Sequence, residues 1–512
     1  TPTILGNQRT NPYTVSNMRQ AYNNLGLTGV AVNVTDLYVR FLPNSAAQLS
    51  ILDSSLDARG LELFDAPMDY DVLREGDYYQ DPSIPDSSVT WQYAVVPPSF
   101  QFPSGITYQV LSQLHLPGDD STAIETEAER LASIQDSINC SSGGGLSRKV
   151  TPYVYDCGPG YYWDFNLHQC VCTCCPNGYY WNGTQCAPIP PPPPQFSAPD
   201  AQVPAGNITV SDVNLNTTPG VRNVRVVAKR WFKIERIYTD NNGHFHFTKH
   251  FKHKVKVIVK FKNDNAVIKS FRLSSYWRML FPITKTIGVY SSNKSNIPYN
   301  FQKYNTSIAD KGNLYWAGAT AHNSVMEYRD YAVQEGIGLP PDHLKIFLTR
   351  WSYGAGMTPM WNKRWYSNLP QEIVINFFLY YAIPPLGDVS AIYTILKLEM
   401  DMGISYRAPS SDYTSMYSDD LKETVYHELT HAAQYSALSN SWYTSFVDAE
   451  ANEIANTAFS VNSPYGDGSN TVNSPIIALG ESWAYHMGQY LADKQYGSAS
   501  RPAGEQGILY SN

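Results

Sequence analysis

A run of prolines constrains the folding of this chain more than any other feature. The segment "APIPPPPPQ" covers residues 187–195 and includes five consecutive prolines. Proline fixes φ and lacks the backbone N–H donor, so the segment suits a stiff polyproline II spacer and not a helix or a central strand. The chain has 512 residues, more than one hydrophobic core usually serves. We therefore predict a multidomain protein with a proline-rich linker at 187–204.

The cysteines are concentrated immediately before this linker. All seven lie between Cys140 and Cys186, a segment that contains a duplication, "CGPGYYWDFNLHQC" followed by "CPNGYYWNGTQC". A unit this short cannot bury enough apolar surface to fold unaided. The pattern predicts a small disulfide-rich module at 140–186 and an oxidising, extracytoplasmic compartment.

Two questions about these cysteines stay open in the sequence. Metal binding by Cys172, Cys174 and Cys175 is an alternative to disulfides, although no second spaced pair completes a structural zinc pattern. Because seven is an odd number, one thiol is either free or bonded to another chain.

Residues 1–139 are predicted to form a small α+β domain. The string "TVSNMRQAYNNL" has helical character, and Thr14 or Ser16 can cap its N-terminus. "DLYVRFLP" and "ITYQVLSQLHLP" have the character of strands that end at prolines, and "ETEAERLASIQDSI" that of a second helix. No residue of this domain points to a particular chemistry.

Residues 205–274 alternate apolar and polar side chains, as in "NITVSDV", "VRNVRVVAKRWF" and "KVKVIVKFK". Period-two alternation with tight turns predicts an antiparallel β-sandwich. Between Arg222 and Arg272 there are 14 Lys or Arg against 3 acidic residues, a surplus of 14 − 3 = 11 positive charges. We expect a basic face that attracts acidic glycans or neighbouring subunits, with an effect that weakens in salt.

Four histidines of the same domain suggest a second metal site, but their neighbours argue against it. Nearby lysines would repel a cation, so a solvated basic face is the better interpretation. The histidines are His244, His246, His250 and His253, and the lysines are Lys249, Lys252 and Lys254.

Composition supports a secreted or surface protein. Charged residues make up 16% of the chain, and the formal net charge is −8, which argues against nucleic acid as a partner. The longest apolar run, "VINFFLYYAIPPL", is too short to span a bilayer and contains prolines, so we expect no transmembrane segment. The numbering begins at Thr1 without a leader, and we expect a targeting peptide to precede it.

The chemistry is concentrated in residues 275–512, which we predict to be an α+β domain. The string "SDDLKETVYHELTHAAQYSAL" predicts a helix that Ser418 or Asp419 can cap. His427 and His431 are four residues apart, so both imidazoles can face one zinc ion. Glu428 is turned by roughly 100° and can act as a general base on a metal-bound water.

The third ligand has two candidates. Glu450 lies 450 − 431 = 19 positions after His431, in "DAEANEIANTAF", which has helical character. Glu481 lies 481 − 431 = 50 positions after it, on a predicted helix that opens after Gly480. Either glutamate would complete a His, His, Glu set.

Three strings resemble known families. "GESWAYHMG" resembles the helix that carries the glutamate ligand in gluzincin peptidases of the fungalysin and thermolysin groups, which favours Glu481 over Glu450 as the zinc ligand. The string "TPGVRNVRV" with "TDNNGHF" resembles carboxypeptidase-regulatory-like sandwich modules, which implies an accessory, non-catalytic domain. Together with "NPYTVSNMRQAYNNL", these strings resemble secreted multidomain surface proteins of Bacteroidetes-type bacteria.

One position departs from the gluzincin pattern. Those peptidases usually place an aspartate four residues after the ligand glutamate, where it orients a zinc-bound histidine, but here the residue is Tyr485. A change of this kind can weaken metal affinity or activity by about 10–100-fold. Tyr485 shares a helix face with Glu481, so it is a candidate donor to a reaction oxyanion, with simple aromatic packing as the alternative.

The sequence thus supports two functions. The first is a secreted zinc metallopeptidase in which His427, His431 and Glu481 bind Zn²⁺, Glu428 is the general base, and the substrate is a protein or peptide. The second is a non-catalytic structural or adhesive surface protein that keeps the zinc-peptidase fold as a scaffold. Such a protein would act as a homo-oligomer or filament subunit.

Overall fold

The structure is a computed structural model of the chain. It describes residues 2–85, 88–118, 121–142, 161–164, 169–172, 179–181, 186–188, 203–271, 276–350, 356–363, 395–408, 414–456 and 473–497. These residues form a multidomain α+β protein with several small sheets, as the sequence predicts.

The first unit mixes helices with two small sheets. Its elements are β1 (Ile4–Gln8), α1 (Val15–Asn24), β2 (Asp36–Leu42), α2 (Ala46–Asp57), β3 (Tyr70–Arg74), β4 (Gln92–Val96), β5 (Thr107–Leu114) and α3 (Thr122–Ser142). Strands β4, β2 and β5 form an antiparallel sheet in that order, and β1 pairs with β3. The hydroxyl of Thr14 caps α1 by accepting the N–H of Asn17, which decides between the two predicted caps.

The duplicated cysteine unit forms two hairpins. Their strands are β6 (Tyr161–Asp164), β7 (Gln169–Cys172), β8 (Tyr179–Trp181) and β9 (Cys186–Pro188). Trp163 is opposite Cys170 in the first hairpin, and Trp181 is opposite Cys186 in the second. The two repeats therefore have the same register. The predicted disulfides and most of the proline linker lie outside the described residues.

Two sheets follow, and we call them together the two-sheet unit. Their strands are β10 (Ala205–Val210), β11 (Arg225–Arg230), β12 (Lys233–Tyr238), β13 (His244–His246), β14 (Lys254–Lys260), β16 (Thr284–Ser291) and β17 (Ile297–Phe301). One sheet is antiparallel in the order β12-β11-β14-β16. The other has the order β13-β10-β17, and its β10–β17 pair is parallel. Buried side chains of both sheets, such as Val226 and Phe245, belong to one hydrophobic cluster.

Strand β15 (Ala266–Ser270) leaves the two-sheet unit and pairs in parallel with a strand of the last region. The pairings thus run across the predicted division between 205–274 and 275–512. Alternation of apolar residues identifies a strand and its buried face, but it does not name the partner strand.

The described part of the last region combines one sheet with several helices. Its remaining elements are α4 (Lys311–Glu335), β18 (Leu344–Thr349), β19 (Gly356–Met357), β20 (Met402–Ser405), α5 (Ser418–Ala437), α6 (Asn440–Asn456) and α7 (Ser474–Tyr496). The sheet order is β15-β18-β20-β19, in which the first three strands are parallel and β19 is antiparallel. Helix α4 ends at Gly336, which takes the left-handed conformation with φ +68°.

One predicted helix cap and one predicted helix start are wrong. Helix α5 begins at Ser418 with no side-chain cap of its own, and Asn214 accepts the N–H groups of Ser418 and Asp419 instead. Helix α7 begins at Ser474, so Gly480 lies inside the helix and not before it. At α5 a distant residue thus supplies the acceptor that a local cap was expected to supply.

The basic residues of the two-sheet unit face the first unit. Eight of the fourteen form ion pairs with its carboxylates: Arg225, Arg230, Lys233, Arg236, Lys252, Lys256, Lys260 and Lys262. Their partners are Asp53, Asp57, Glu62, Glu75, Glu125 and Glu129. The acidic neighbour of these cations is thus part of the same chain, and binding of glycans or other subunits stays a prediction.

In the described part of the chain, no helix is both long and apolar enough to cross a membrane.

Candidate metal centre

Two helices meet where the sequence places its histidines. Helices α5 and α7 pack closely because two glycines of α7 face their neighbours. A Cβ at Gly488 would lie 3.1 Å from the backbone nitrogen of His427, and one at Gly480 would lie 2.4 Å from the ring of Phe446 on α6. Gly488 therefore lets α7 approach α5, and Gly480 lets it approach α6.

The two histidines of α5 converge with Glu481 of α7. The Nε2 atoms of His427 and His431 lie 3.1 Å apart. Each Nε2 is 3.3 Å from a different carboxylate oxygen of Glu481. All three residues are at least nine-tenths buried. Their ligand atoms lie within 4.8 Å of one another, so this triad could hold a metal ion.

Gln434 fixes the orientation of one histidine and links the two helices. Its Oε1 lies 2.9 Å from Nδ1 of His431, and its Nε2 donates to the carbonyl of Gly480 at 3.0 Å. An amide oxygen can only accept, so the proton of His431 is held at Nδ1 and Nε2 is left to face the cluster. Gly480 directly precedes Glu481, so the same amide also positions the third member of the triad.

Glu428 lies beside the triad without belonging to it. Its Oε2 accepts the hydroxyl of Thr358 at 2.5 Å, and its Oε1 is 3.9 Å from Nε2 of His427. Gly356 of β19 packs directly on this carboxylate, because a Cβ there would lie 2.2 Å from Oε1. Tyr443 donates to the carbonyl of Thr358 at 2.6 Å. The edge of the sheet therefore fixes the carboxylate next to the ligand atoms.

The electrostatics show that the cluster attracts positive charge. Burial is the largest single influence on the pKa of His431 and lowers it, but the charge of Glu481, the hydrogen bond to it, the charge of Glu428 and the hydrogen bond to Gln434 together raise this pKa to about 9. Burial also raises the pKa of Glu481, yet the charge of His431 and hydrogen bonds from both histidines bring it well below its usual range. Burial is the main cause that raises the pKa of Glu428.

The triad passes a test of fit for a cation. Oε2 of Glu481 is a buried oxygen that makes no hydrogen bond of good geometry with a described residue and lies 3.3 Å from Nε2 of His427. The Nε2 atoms of His427 and His431 lie 3.1 Å apart, and the proton of His431 is held on its Nδ1. The two Nε2 lone pairs therefore repel each other unless a proton or a cation lies between them. Both features are relieved by an ion bound to the three side chains.

Glu450 lies close to this cluster in a supporting position. Burial, followed by the charge of Glu481 and a hydrogen bond to it, raises the pKa of Glu450 well above its usual range. A carboxyl group that keeps its proton can donate to Glu481, and this suits a supporting group better than a ligand. Among the described residues, only His427, His431 and Glu481 form a cluster with metal-binding geometry, and none forms around His244.

Tyr485 packs its ring against His427. The ring centroids are 4.5 Å apart at an interplanar angle of 65°. This contact is the aromatic packing that the sequence allowed as the alternative, and a role for its hydroxyl in catalysis stays a prediction.

Sequence reasoning missed Thr358 and Gln434. Gln434 carried a usable signal, because it lies three residues after His431 and therefore on the same helix face. Thr358 carried none, since it reaches Glu428 from a strand 70 residues earlier in the chain.

Comparison with known proteins gives no match: no family model, no curated protein and no solved structure is similar to this chain.

Proposed function

We propose that this chain is a secreted metallopeptidase of the gluzincin type, in which His427, His431 and Glu481 hold a zinc ion. The observation that supports the proposal is the convergence of these three buried side chains from two helices, with Glu428 fixed beside them. Two imidazoles and one carboxylate form a ligand set that zinc prefers and that leaves a coordination position for a reactant.

The ion supplies Lewis acidity when bound, which polarises a carbonyl group and lowers the pKa of a water molecule. Glu428 is placed to take the proton of that water and to pass it to the leaving amine. A general base works best when its pKa approaches the working pH, and burial shifts Glu428 in that direction. The hydroxyl of Thr358 orients the carboxylate so that one oxygen faces the ligand cluster.

An extended peptide is the substrate that suits the surroundings of Glu428. Strand β19 lies directly against this carboxylate and pairs, within the described residues, only with β20. A sheet edge can bind an extended peptide through backbone hydrogen bonds, which would lay a scissile bond across Glu428 and the ion.

Zinc analysis combined with a cleavage assay tests this proposal. The wild type should contain one zinc per chain and cleave casein or a peptide library. Glu428→Gln should keep the zinc and lose cleavage by about 10²–10⁴-fold, because the amide cannot accept the proton. His431→Ala should lose the zinc itself. A wild-type protein without zinc, or with zinc but without turnover of any peptide, would contradict the proposal.

A second candidate function is a structural or adhesive surface protein, and strand β5 favours it. This strand lies at a sheet edge, and its sequence "TYQVLSQL" contains no charge and no proline. Tyr108, Val110 and Leu111 are exposed on it, whereas sheet edges usually carry charges that prevent pairing between molecules. A bulge in its pairing with β2 is one protective feature.

Sedimentation analysis distinguishes this candidate. If β5 pairs between copies, the wild type should self-associate and Val110→Lys should reduce association by about tenfold or more, with Arg74→Lys on a charged strand as the unaffected control. A monomeric wild type at high concentration would rule out assembly through β5.

A further inference from the structure

A cavity separates the first unit from the two-sheet unit at a distance from the metal centre. Its volume is about 800 Å³, and none of its lining residues belongs to the triad or to the network around Glu428. Cavities of roughly 300–1,000 Å³ are typical of small-molecule sites. Leu63 and Phe64 of the first unit form one wall, and the four-stranded sheet forms the opposite wall.

The sheet wall places positive charges opposite one another. Lys229 of β11 is the register partner of Lys256 of β14, and Arg225 is the partner of Lys260. All four line the cavity. Like charges directly opposite in a sheet are destabilising, so two such pairs on one face need compensating anions.

Three of these four cations have carboxylate partners, and the fourth does not. Glu62 lies 3.3 Å from Arg225 and 2.5 Å from Lys260, and Glu75 lies 2.9 Å from Lys256. Lys229 has no ion pair with any described carboxylate within 4.0 Å, and its Nζ lies 4.1 Å from the centroid of the Phe64 ring.

The surroundings of Lys229 make its positive charge costly. Burial, followed by the charge of Lys256, lowers the pKa of Lys229 to about 7. The negative charges of Asp65, which also lines the cavity, and of Glu75 raise this pKa, but they do not overcome burial. An anionic group beside Lys229 would therefore stabilise its charged form.

We propose that this cavity binds a small organic anion of sugar-acid size, with its anionic group paired to Lys229. An inorganic anion would satisfy the same charge but fill little of the space. Gln302 also lines the cavity and offers an amide group to the hydroxyls of a sugar ring, and the hydroxyl of Thr284, which donates to the carbonyl of Pro282, can still accept a hydrogen bond. This site is independent of the proposed peptidase activity.

Calorimetric titration of the full chain with glucuronate, glucose and inorganic phosphate tests the inference. Glucuronate should bind saturably and glucose, which has the same ring without the charge, should not. Lys229→Met keeps the apolar stem and should weaken glucuronate binding by about tenfold or more. Lys254→Met is the matched control, because Lys254 is exposed on the neighbouring strand β14 and does not line the cavity.

Amine acetylation followed by peptide mass spectrometry gives a second measurement that needs no variant. Glucuronate should protect Lys229 of the wild type from acetylation and leave Lys254 unprotected. Binding of phosphate without binding of glucuronate would overturn the assignment of an organic ligand. Absence of binding by both anions, or equal binding by Lys229→Met, would overturn the site itself.

Discussion

At the residue scale, the side-chain amide of Gln434 orients two members of the triad. It contacts His431 with one atom and the carbonyl before Glu481 with another. Loss of this amide leaves His431 free to rotate and to change the nitrogen that carries its proton. Partners of this kind are worth about 10–100-fold in metal affinity.

We therefore predict that Gln434→Ala weakens zinc affinity by about 10–100-fold with little change in the fold. Competition with a chelator of known affinity measures this change, and circular dichroism checks the helices. Gln489→Ala on α7 is the control, because Gln489 belongs neither to the triad nor to its hydrogen bonds. Unchanged affinity in Gln434→Ala would show that the amide does not position the ligands.

Tyr485 allows a test that separates packing from catalysis. If its hydroxyl donates to the reaction oxyanion, Tyr485→Phe should lower kcat by about 10²-fold at unchanged KM and zinc content. If only its ring contact with His427 matters, Tyr485→Phe should be neutral and Tyr485→Ala should weaken zinc binding. The contact at 4.5 Å favours the second outcome. A large loss of kcat in Tyr485→Phe would contradict this expectation.

At this scale the sequence predicted the residues that carry chemistry but not those that orient them. The spacing of His427, Glu428 and His431 follows from the geometry of one helix, so it can be read directly from the sequence. Thr358 reaches Glu428 only because β19 lies over α5, and no local pattern records that contact.

Helix α7 depends on a glycine at a position where a helix usually disfavours it. Gly480 is buried, and the ring of Phe446 lies where a side chain would begin. This ring is stacked between Trp442 and His431 and has little room to move. A glycine inside a helix costs roughly 1 kcal/mol of stability relative to alanine. The packing that this close approach allows therefore has to stabilise the protein by more than that amount.

We predict that Gly480→Ala destabilises the protein despite the better helix propensity of alanine. Overpacking of this kind costs about 1–3 kcal/mol, which exceeds the gain in propensity. It should also weaken zinc binding, since Glu481 would move with the helix. Urea unfolding and zinc titration measure both effects. Gly338→Ala is the control, because the nearest atom to a new Cβ there is 3.8 Å away. A more stable Gly480→Ala variant would be the contrary result.

The start of α5 shows why helix termini escaped prediction. Ser418 and Asp419 have the chemistry of caps, but Asn214 of the two-sheet unit already accepts their backbone N–H groups. Ser418 instead accepts the N–H of Val213. The cap therefore joins two parts of the chain that are about 200 residues apart. The residues next to a helix end in the sequence do not indicate such a distant partner.

Across the whole molecule, Glu62 joins the first unit to the two-sheet unit. Its side chain is almost fully buried and contacts both Arg225 and Lys260. A carboxylate in this position neutralises one of the two like-charge pairs of the sheet face. Removal of one member of a buried ion pair leaves the other charges without compensation, which costs several kcal/mol.

We predict that Glu62→Ala lowers the free energy of unfolding of the first unit and the two-sheet unit by about 3–5 kcal/mol. Salt should change this loss little, because the contacts are buried. Glu75→Ala is the matched control: its carboxylate is 46% exposed and pairs with a more accessible lysine, so a loss of about 0–1 kcal/mol is expected. Urea unfolding measures both. Equal losses of stability in the two variants would show that burial of Glu62 between two cations adds nothing to the contribution of an exposed ion pair.

The sequence by itself predicted the main elements, the histidine pair and the candidate general base, because helical and strand periodicities and the His-Glu-x-x-His spacing are local. Only the tertiary structure decided which glutamate meets the histidines. Glu450 and Glu481 both lie on helices, but the glycines of α7 allow Glu481 to reach His427 and His431. Only the tertiary structure, likewise, turned the basic strands toward the first unit, since a surplus of charge does not indicate where its partner lies.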